Sequence, residues 1–171
     1  MPTLDTDLQE LKERLQDGSI QRAYTGIVAY LSRLRSEFAG RRGERAVSGL
    51  YQGYFDMTYF ALFPSALKER DLKIAVVFNY ATFAFEAWLA ARNRKLQRAY
   101  WELLRQAGYT QHPLVEPAVG SDAIVAAVLA TDYSLDDEDR LTARLVEGVE
   151  AFERAIIAFL DELDARPSSD A

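Results

Sequence analysis

The side chains of this chain best placed to do chemistry are polar residues lodged inside otherwise apolar, β-prone runs. They are Gln52, Asp56 and Thr58 in one run, Lys73 and Asn79 in a second, and Glu86 with Trp88 in a third, followed at once by Arg92 and Arg94. A carboxylate kept from water without a partner costs free energy or takes up a proton. Asp56 and Glu86 are therefore expected to be solvated, paired with Lys73 or an arginine, or used in chemistry. Strand alternation puts Gln52, Asp56 and Thr58 on one face, Lys73 and Asn79 on one face, and Glu86 and Trp88 on one face. If the three strands adjoin, these faces merge into one patch. Ala75, Ala84 and Ala90 are interleaved with it and leave room above the sheet for a ligand, the protein's own helix or another subunit.

Three functions suit such a patch. The leading expectation is a binding domain whose sheet face, at Gln52, Asp56, Lys73, Glu86 and Trp88 and rimmed by Arg92 and Arg94, holds a small anionic or polar ligand. The second is an interaction module that packs this face against another chain, an identical one first of all. The third is a metal-dependent hydrolase or nuclease, in which Asp56 and Glu86 hold Mg²⁺ and Lys73 steadies developing charge. The pattern common in such nucleases, a carboxylate followed two residues later by Lys on the same strand, is absent, because Trp88 stands there.

Composition removes most other chemistry. There is no Cys, which excludes thiol catalysis, iron–sulfur clusters, zinc ribbons and disulfide scaffolds, and His112 is the single histidine. His112, beside Pro113 and near Ser121 and Asp122, reads as a loop residue, and no cofactor is called for. The 171 residues, 49% apolar and 27% charged, suit one domain able to bury a core unaided. A net charge of −6 argues against general nucleic-acid binding. That charge is segregated: residues 22–45 and 92–105 are each near +4, whereas 132–171 carry twelve acidic residues against four Arg. The acidic start of the chain is neither a signal nor a transit peptide, and no apolar run approaches the ~20 residues that cross a bilayer. A soluble cytoplasmic protein without membrane contact is expected.

The elements that position these residues follow from periodicity. A capping box at Thr6 and Gln9 opens a short amphipathic helix striped by Leu8, Leu11 and Leu15, which Asp17-Gly18 breaks. Ser19 caps a second helix, with Ile20, Tyr24, Ile27, Leu31, Leu34 and Phe38 inward until Gly40. Residues 41–46 read as a loop, and 49–63 as one strand closed by Pro64, with at most a helical turn over 65–71. Residues 73–80 and 82–90 read as a hairpin. Symmetric pairing about its hinge sets Phe78 opposite Phe83, Val76 opposite Phe85, Ala75 opposite Glu86 and Lys73 opposite Trp88. A helix over 92–106, with Leu103 and Leu104 inward, a strand over 124–130, and a long helix after Ser134 with an acidic outer face complete the chain, before a frayed tail at 166–171. The order ααβββαβα with consecutive short connections predicts an α+β fold, an antiparallel three- to four-stranded sheet packed with helices.

Arg92, Arg94, Lys95 and Arg98 crowd the start of a helix, where the macrodipole already places about half a positive charge. Either an anion is held there by backbone amides and guanidinium groups, or these residues pair with the acidic C-terminal segment.

The strings Gly18-Ser19-Ile20-Gln21-Arg22-Ala23-Tyr24, Tyr51-Gln52-Gly53-Tyr54-Phe55-Asp56-Met57-Thr58-Tyr59-Phe60, Lys73-Ile74-Ala75-Val76-Val77-Phe78-Asn79-Tyr80 and Trp88-Leu89-Ala90-Ala91-Arg92-Asn93-Arg94-Lys95 resemble an uncharacterised bacterial family of unknown function. The resemblance covers residues 18–104. It implies a small cytoplasmic bacterial protein and brings no activity, substrate or assigned site residue.

Overall fold

Residues 1–41, 43, 45–118 and 120–166 are described by a computed structural model of the chain. The elements run α1 (Leu4–Arg14), α2 (Ser19–Gly40), β1 (Arg45–Val47), β2 (Tyr51–Gln52), β3 (Met57–Pro64), α3 (Ser65–Lys68), β4 (Leu72–Asn79), β5 (Ala84–Ala91), α4 (Arg94–Gln106), β6 (Ala123–Ala130) and α5 (Glu138–Asp164). Every strand pairing is antiparallel, in the order β1-β3-β4-β5-β6, with β2 beside the other half of β3. The expected α+β class therefore holds, with six strands among the described residues in place of three or four. From Pro167 on, the tail expected over 166–171 lies outside those residues, as do Arg42 and Glu44 of the expected 41–46 loop.

One extra strand is β1, formed where the end of the expected 41–46 loop instead pairs with β3 over Arg45–Val47; the other comes from the stretch read as one strand. It doubles back at residues 53–56, where the Gly53 N–H donates to the Met57 carbonyl at 2.9 Å. Gly53 has no alternative there, since an added Cβ would collide with the Asp56 carboxylate and lie 2.7 Å from the Met57 carbonyl oxygen. The left-handed position of this turn is held by Phe55, at φ 58°. A second tight turn, residues 80–83, joins β4 to β5 and places Phe83 at φ 51°. That four-residue turn displaces the hairpin register by two from the symmetric one, giving Phe78 opposite Phe85, Val76 opposite Ala87 and Ala75 opposite Trp88. An even displacement leaves every side chain on its expected face.

Leu72, Ile74, Val76 and Phe78 of β4, with Phe60, Phe85 and Leu89 beside them, face the helices and form the main core with Leu31, Leu34 and Phe38 of α2 and Leu145, Phe152 and Ile156 of α5. Tyr30 meets Phe85 edge-on at 5.6 Å between ring centroids, and Phe38 meets Phe60 at 5.8 Å. Helix capping differs in detail from expectation. Thr3, not Thr6, caps α1 by accepting the Thr6 N–H, and α2 starts from Gly18 at φ 72° while Asp17 accepts the Ser19 N–H at 2.8 Å. In α4, Leu104 turns inward but Leu103 is 44% exposed. The buried Gln97 donates to the carbonyls of Ser121 and Ala123 at 2.9 and 3.1 Å, tying the helix to the approach of β6.

The segregated charges meet within the chain. Acidic α5 pairs with the basic stretch of α2 and β1 through Arg33–Glu138 at 2.5 Å, Arg41–Glu150 at 3.1 Å and Arg45–Glu153 at 2.9 Å, and with Arg70 through Asp161 and Asp164. His112 lies against Phe152 with the rings tilted by 57°, 5.0 Å between centroids, and burial holds its imidazole below the ordinary value.

Tyr109, 4% exposed, packs edge-on against Phe159 while its hydroxyl is buried without a protein partner. Burial pushes that phenol up to about 12. Tyr109→Phe keeps the ring contact and removes an unpaired polar group. It should leave stability unchanged or raise it by up to ~1 kcal/mol in urea unfolding, where a bonded buried Tyr would lose about that much.

Candidate functional site

The sheet face turned away from the helices carries Lys73, Asn79, Glu86 and Trp88, as strand alternation requires. Opposite Val77 in β4, Glu86 is 7% exposed, and its carboxylate accepts three hydrogen bonds. The donors are Asn79 Nδ2 at 3.3 Å, Thr82 Oγ1 at 2.9 Å and Trp88 Nε1 at 2.6 Å. All three are neutral, and Lys73 takes no part. Lys73 lies four residues from Val77 along β4, roughly 13 Å at strand rise, so Glu86 is satisfied by its own hairpin.

The room expected above the small residues is filled from within. Ala75 faces Trp88 across the strands, and the two pack with Val77, Tyr59 and Met57 of the sheet and with Val115 from the segment before β6 into a second, smaller apolar cluster. Trp88 is 9% exposed. The face is thus a minor core with a polar edge, and the open hollow predicted at its centre is not there.

Other expected members are elsewhere. Gln52 pairs with Thr58, which is fully buried on the helix side and bonds the Tyr80 hydroxyl at 3.1 Å, so Gln52 and Thr58 lie on the opposite face from Lys73 and Glu86. The two share a face, as alternation requires, but Thr58 pairs with Phe78 of β4, which sets that face against the helices. Asp56 sits in the turn at residues 53–56, exposed, with Oδ1 accepting the Met57 N–H at 2.7 Å and its carbonyl accepting the Tyr80 N–H at 3.1 Å. Asp56 and Glu86 share no partner, and among the described residues no group of three His, Cys, Asp or Glu could hold a metal ion. At the start of α4 the basic residues do not pair with the acidic C-terminal segment among the described residues. Asn93 caps the helix by accepting the Leu96 N–H at 2.9 Å. Arg94 clasps the next loop, donating to the carbonyls of Ala118 at 2.9 Å and Ser121 at 2.6 Å and lying 3.7 Å from Asp122.

At the sheet end remote from Glu86, the structure gathers cations that the sequence leaves apart. Phe63 of β3, Lys68 of α3, Asp71 and Leu72 at the entry to β4, Lys73, and Arg92 beyond β5 line a recess of about 260 Å³. Arg92 is fixed there twice by Asp71: its N–H donates to the Asp71 carbonyl at 2.9 Å and its guanidinium to the Asp71 carboxylate at 3.1 Å. Asp71 itself adopts φ 57°, so the chain turns back sharply enough to bring Lys68 and Lys73 to the same mouth. The Lys73 ammonium stands 5.9 Å from the Tyr59 ring centroid, and no carboxylate among the described residues comes within ion-pair distance of Lys68 or Lys73. Tyr59 is half-buried, which raises its phenol above the ordinary value, with Asp122 and Tyr51 adding to the rise. The recess therefore holds three cations against one carboxylate, beside an apolar wall. No Ser, Thr or His lines it, and its one carboxylate is bonded to Arg92.

Hollows of about 640 and 660 Å³ occur along α2 and α1, but each is lined by one helix and its cap, a furrow between neighbouring side chains with no opposing wall. The smaller recess draws on four segments. Of its residues, Lys73 and Arg92 were legible beforehand. Phe63, Lys68 and Asp71 were not, and the signal that points to them is a lysine at each end of the short polar connection between two strands.

A family model described as a domain of unknown function (DUF7000) matches residues 4–160, which extends the resemblance first read over 18–104. No curated protein and no solved structure matches the chain. No helix among the described residues is long and apolar enough to cross a membrane.

Proposed function

We propose that this chain, which belongs to the DUF7000 family, binds a small anionic ligand in the recess of Phe63, Lys68, Asp71, Lys73 and Arg92, without covalent chemistry. One observation carries the reading: three cations from separate elements converge on one recess in a chain of net charge −6, with Asp71 alone opposing them. Most of the other arginines near acidic groups are spent on α5 or on loop carbonyls. Phe63 and the neighbouring Tyr59 offer apolar surface, so a phosphate or carboxylate attached to a short apolar or aromatic body fits better than a bare ion. The volume falls just below the ~300–1,000 Å³ of common ligand sites, which sets a limit on that body.

Exposed cation contacts contribute up to about 1 kcal/mol each, so phosphate alone should bind in the millimolar range and weaken as salt is added. Titration of the chain with inorganic phosphate, followed by amide chemical shifts, should move resonances around residues 63–73 and 92. Lys73→Ala combined with Arg92→Ala should weaken this at least about tenfold, equivalent to 1.4 kcal/mol. Shifts that are absent, or that survive in the double variant, end the proposal.

A further inference from the structure

We propose that two copies of this chain associate through α1, as a short antiparallel coiled coil. The inference is independent of the ligand reading, because α1 takes no part in the recess.

This helix buries no side chain of its own. Its leucines are left in water: Leu4 is 73%, Leu8 53% and Leu11 50% exposed, and the half-buried Leu15 continues the stripe. Positions 4, 8, 11 and 15 are spaced four, three, four, which is the alternating seam of a two-stranded coiled coil. A stripe of this kind on a helix unpacked against its own domain identifies a surface; the charges beside it identify the occupant. Asp5 and Lys12 flank the seam on one side, Asp7 and Arg14 on the other. In an antiparallel pair each flank meets its own counterpart. Asp5 then faces Lys12 of the second copy, and Asp7 faces Arg14 of the second copy. The two-fold axis repeats both, giving four opposite-charge pairs. A parallel pair would match only Asp7 with Lys12, twice, and would align the two helix dipoles unfavourably. The flanking pattern is therefore self-complementary in one orientation, and a second copy satisfies it without any other partner. Arg14 now bonds Glu10 at 3.3 Å, an exposed pair weak enough to be shared.

Eleven residues give a seam about 16 Å long, less than the interface of a permanent dimer, so association is expected to be reversible and concentration-dependent. More apolar surface lies where α1 joins α2. Gln21 of α2 bonds the Leu15 carbonyl at 3.0 Å, and one turn on, Tyr24 touches Phe55, itself 60% exposed, 5.0 Å between ring centroids.

Sedimentation velocity between about 5 and 500 µM should show the mass rising from monomer toward dimer, in the range set by a weak interface. Leu8→Asp should raise the dissociation constant at least about tenfold while leaving the thermal unfolding midpoint in place, since Leu8 belongs to no core. Orientation is read separately. The chain has no cysteine, so Leu8→Cys and Leu11→Cys each introduce one thiol. Under mild oxidation, a mixture of the two should cross-link into mixed dimers in preference to self-dimers, because position 8 lies across from position 11 in the antiparallel seam. A wild-type chain that stays monomeric, a dimer indifferent to Leu8→Asp, or self-dimers that dominate the cross-linking each overturns the proposal.

Discussion

Trp88→Ala should remove about 4 kcal/mol of folding stability, in the range measured for truncating a large buried ring. On a total of about 5–15 kcal/mol this is a large fraction, and a urea midpoint would register it clearly. Two losses combine. The indole that fills the space over Ala75 leaves a cavity beside Val77, and Glu86 loses its shortest hydrogen bond, 2.6 Å, while remaining 7% exposed. Trp88→Phe separates them: it restores most of the ring volume but not the donor, and should cost ~1–3 kcal/mol, the price of one charge-assisted bond. Phosphate affinity should be unchanged in Trp88→Phe, because Trp88 does not line the recess and the phenyl ring still fills the outer-face cluster beside Tyr59. If Trp88→Ala were as stable as the parent, the second cluster would not be structural and Trp88 would return to the set of binding residues.

Arg45→Ala should cost ~3 kcal/mol, because it strips one partner from a largely buried ionic group. Arg45 is the first residue of β1 and sits between sheet and helix, its side chain 11% exposed, bonded to Glu153 at 2.9 Å and Glu150 at 3.4 Å, with its guanidinium 5.6 Å over the Phe38 ring. It closes the edge of the sheet onto α5. Burial already lifts the Glu153 carboxyl above its ordinary value even though Arg45 pulls it down. Without Arg45 the lift grows. A carboxyl whose folded value exceeds its unfolded value binds its proton more tightly when folded, so its contribution falls as pH rises through the interval between the two. The deficit of Arg45→Ala should therefore be full at pH 7 and shrink as pH is lowered toward and below 4.5, the ordinary value of the group. Parallel chemical unfolding at pH 7 and near pH 4 (roughly the lower edge of that interval) checks it. An equal deficit at both would mean that lost packing on Phe38, not charge, is responsible.

How much could be read in advance depended on the range of the interaction involved. Alternation along β4 and β5 placed Lys73, Glu86 and Trp88 on one side and Ile74, Val76 and Phe78 on the other, and a register displaced by two left that intact. Alternation kept Gln52 and Thr58 on one face, but the pairing of Thr58 with Phe78 put that face against the helices and not beside Lys73, and the turn at residues 53–56 that splits the run shows no Asn-Gly or Asp-Gly signature. Its left-handed position is taken by Phe55, as that of the next turn is by Phe83. Such a backbone costs about 1–2 kcal/mol in a residue with a side chain. At Phe55 it is held by ring contacts with Tyr24 and Tyr80, far off in sequence, and at Phe83 by rings nearby and by the distant Tyr133, whose hydroxyl donates to the Phe83 carbonyl at 3.0 Å. A local pattern cannot register a strain that distant partners offset.

The amino-acid order by itself determined the class of the fold, the antiparallel sheet, the split into a helix-covered and an outer face, the amphipathic stripe of α1 and the segregation of charge, since each is a periodicity or a sum along the chain. Tertiary structure alone decided which charges meet. It sent the arginines of α2 and β1 to the glutamates of α5, turned Arg94 onto a loop, closed Glu86 within its own hairpin, and brought Lys68, Lys73 and Arg92 to one recess. Hydrogen bonds and ion pairs act over a few ångströms in space, and which residues come that close is fixed by turn geometry and helix docking rather than by separation in sequence.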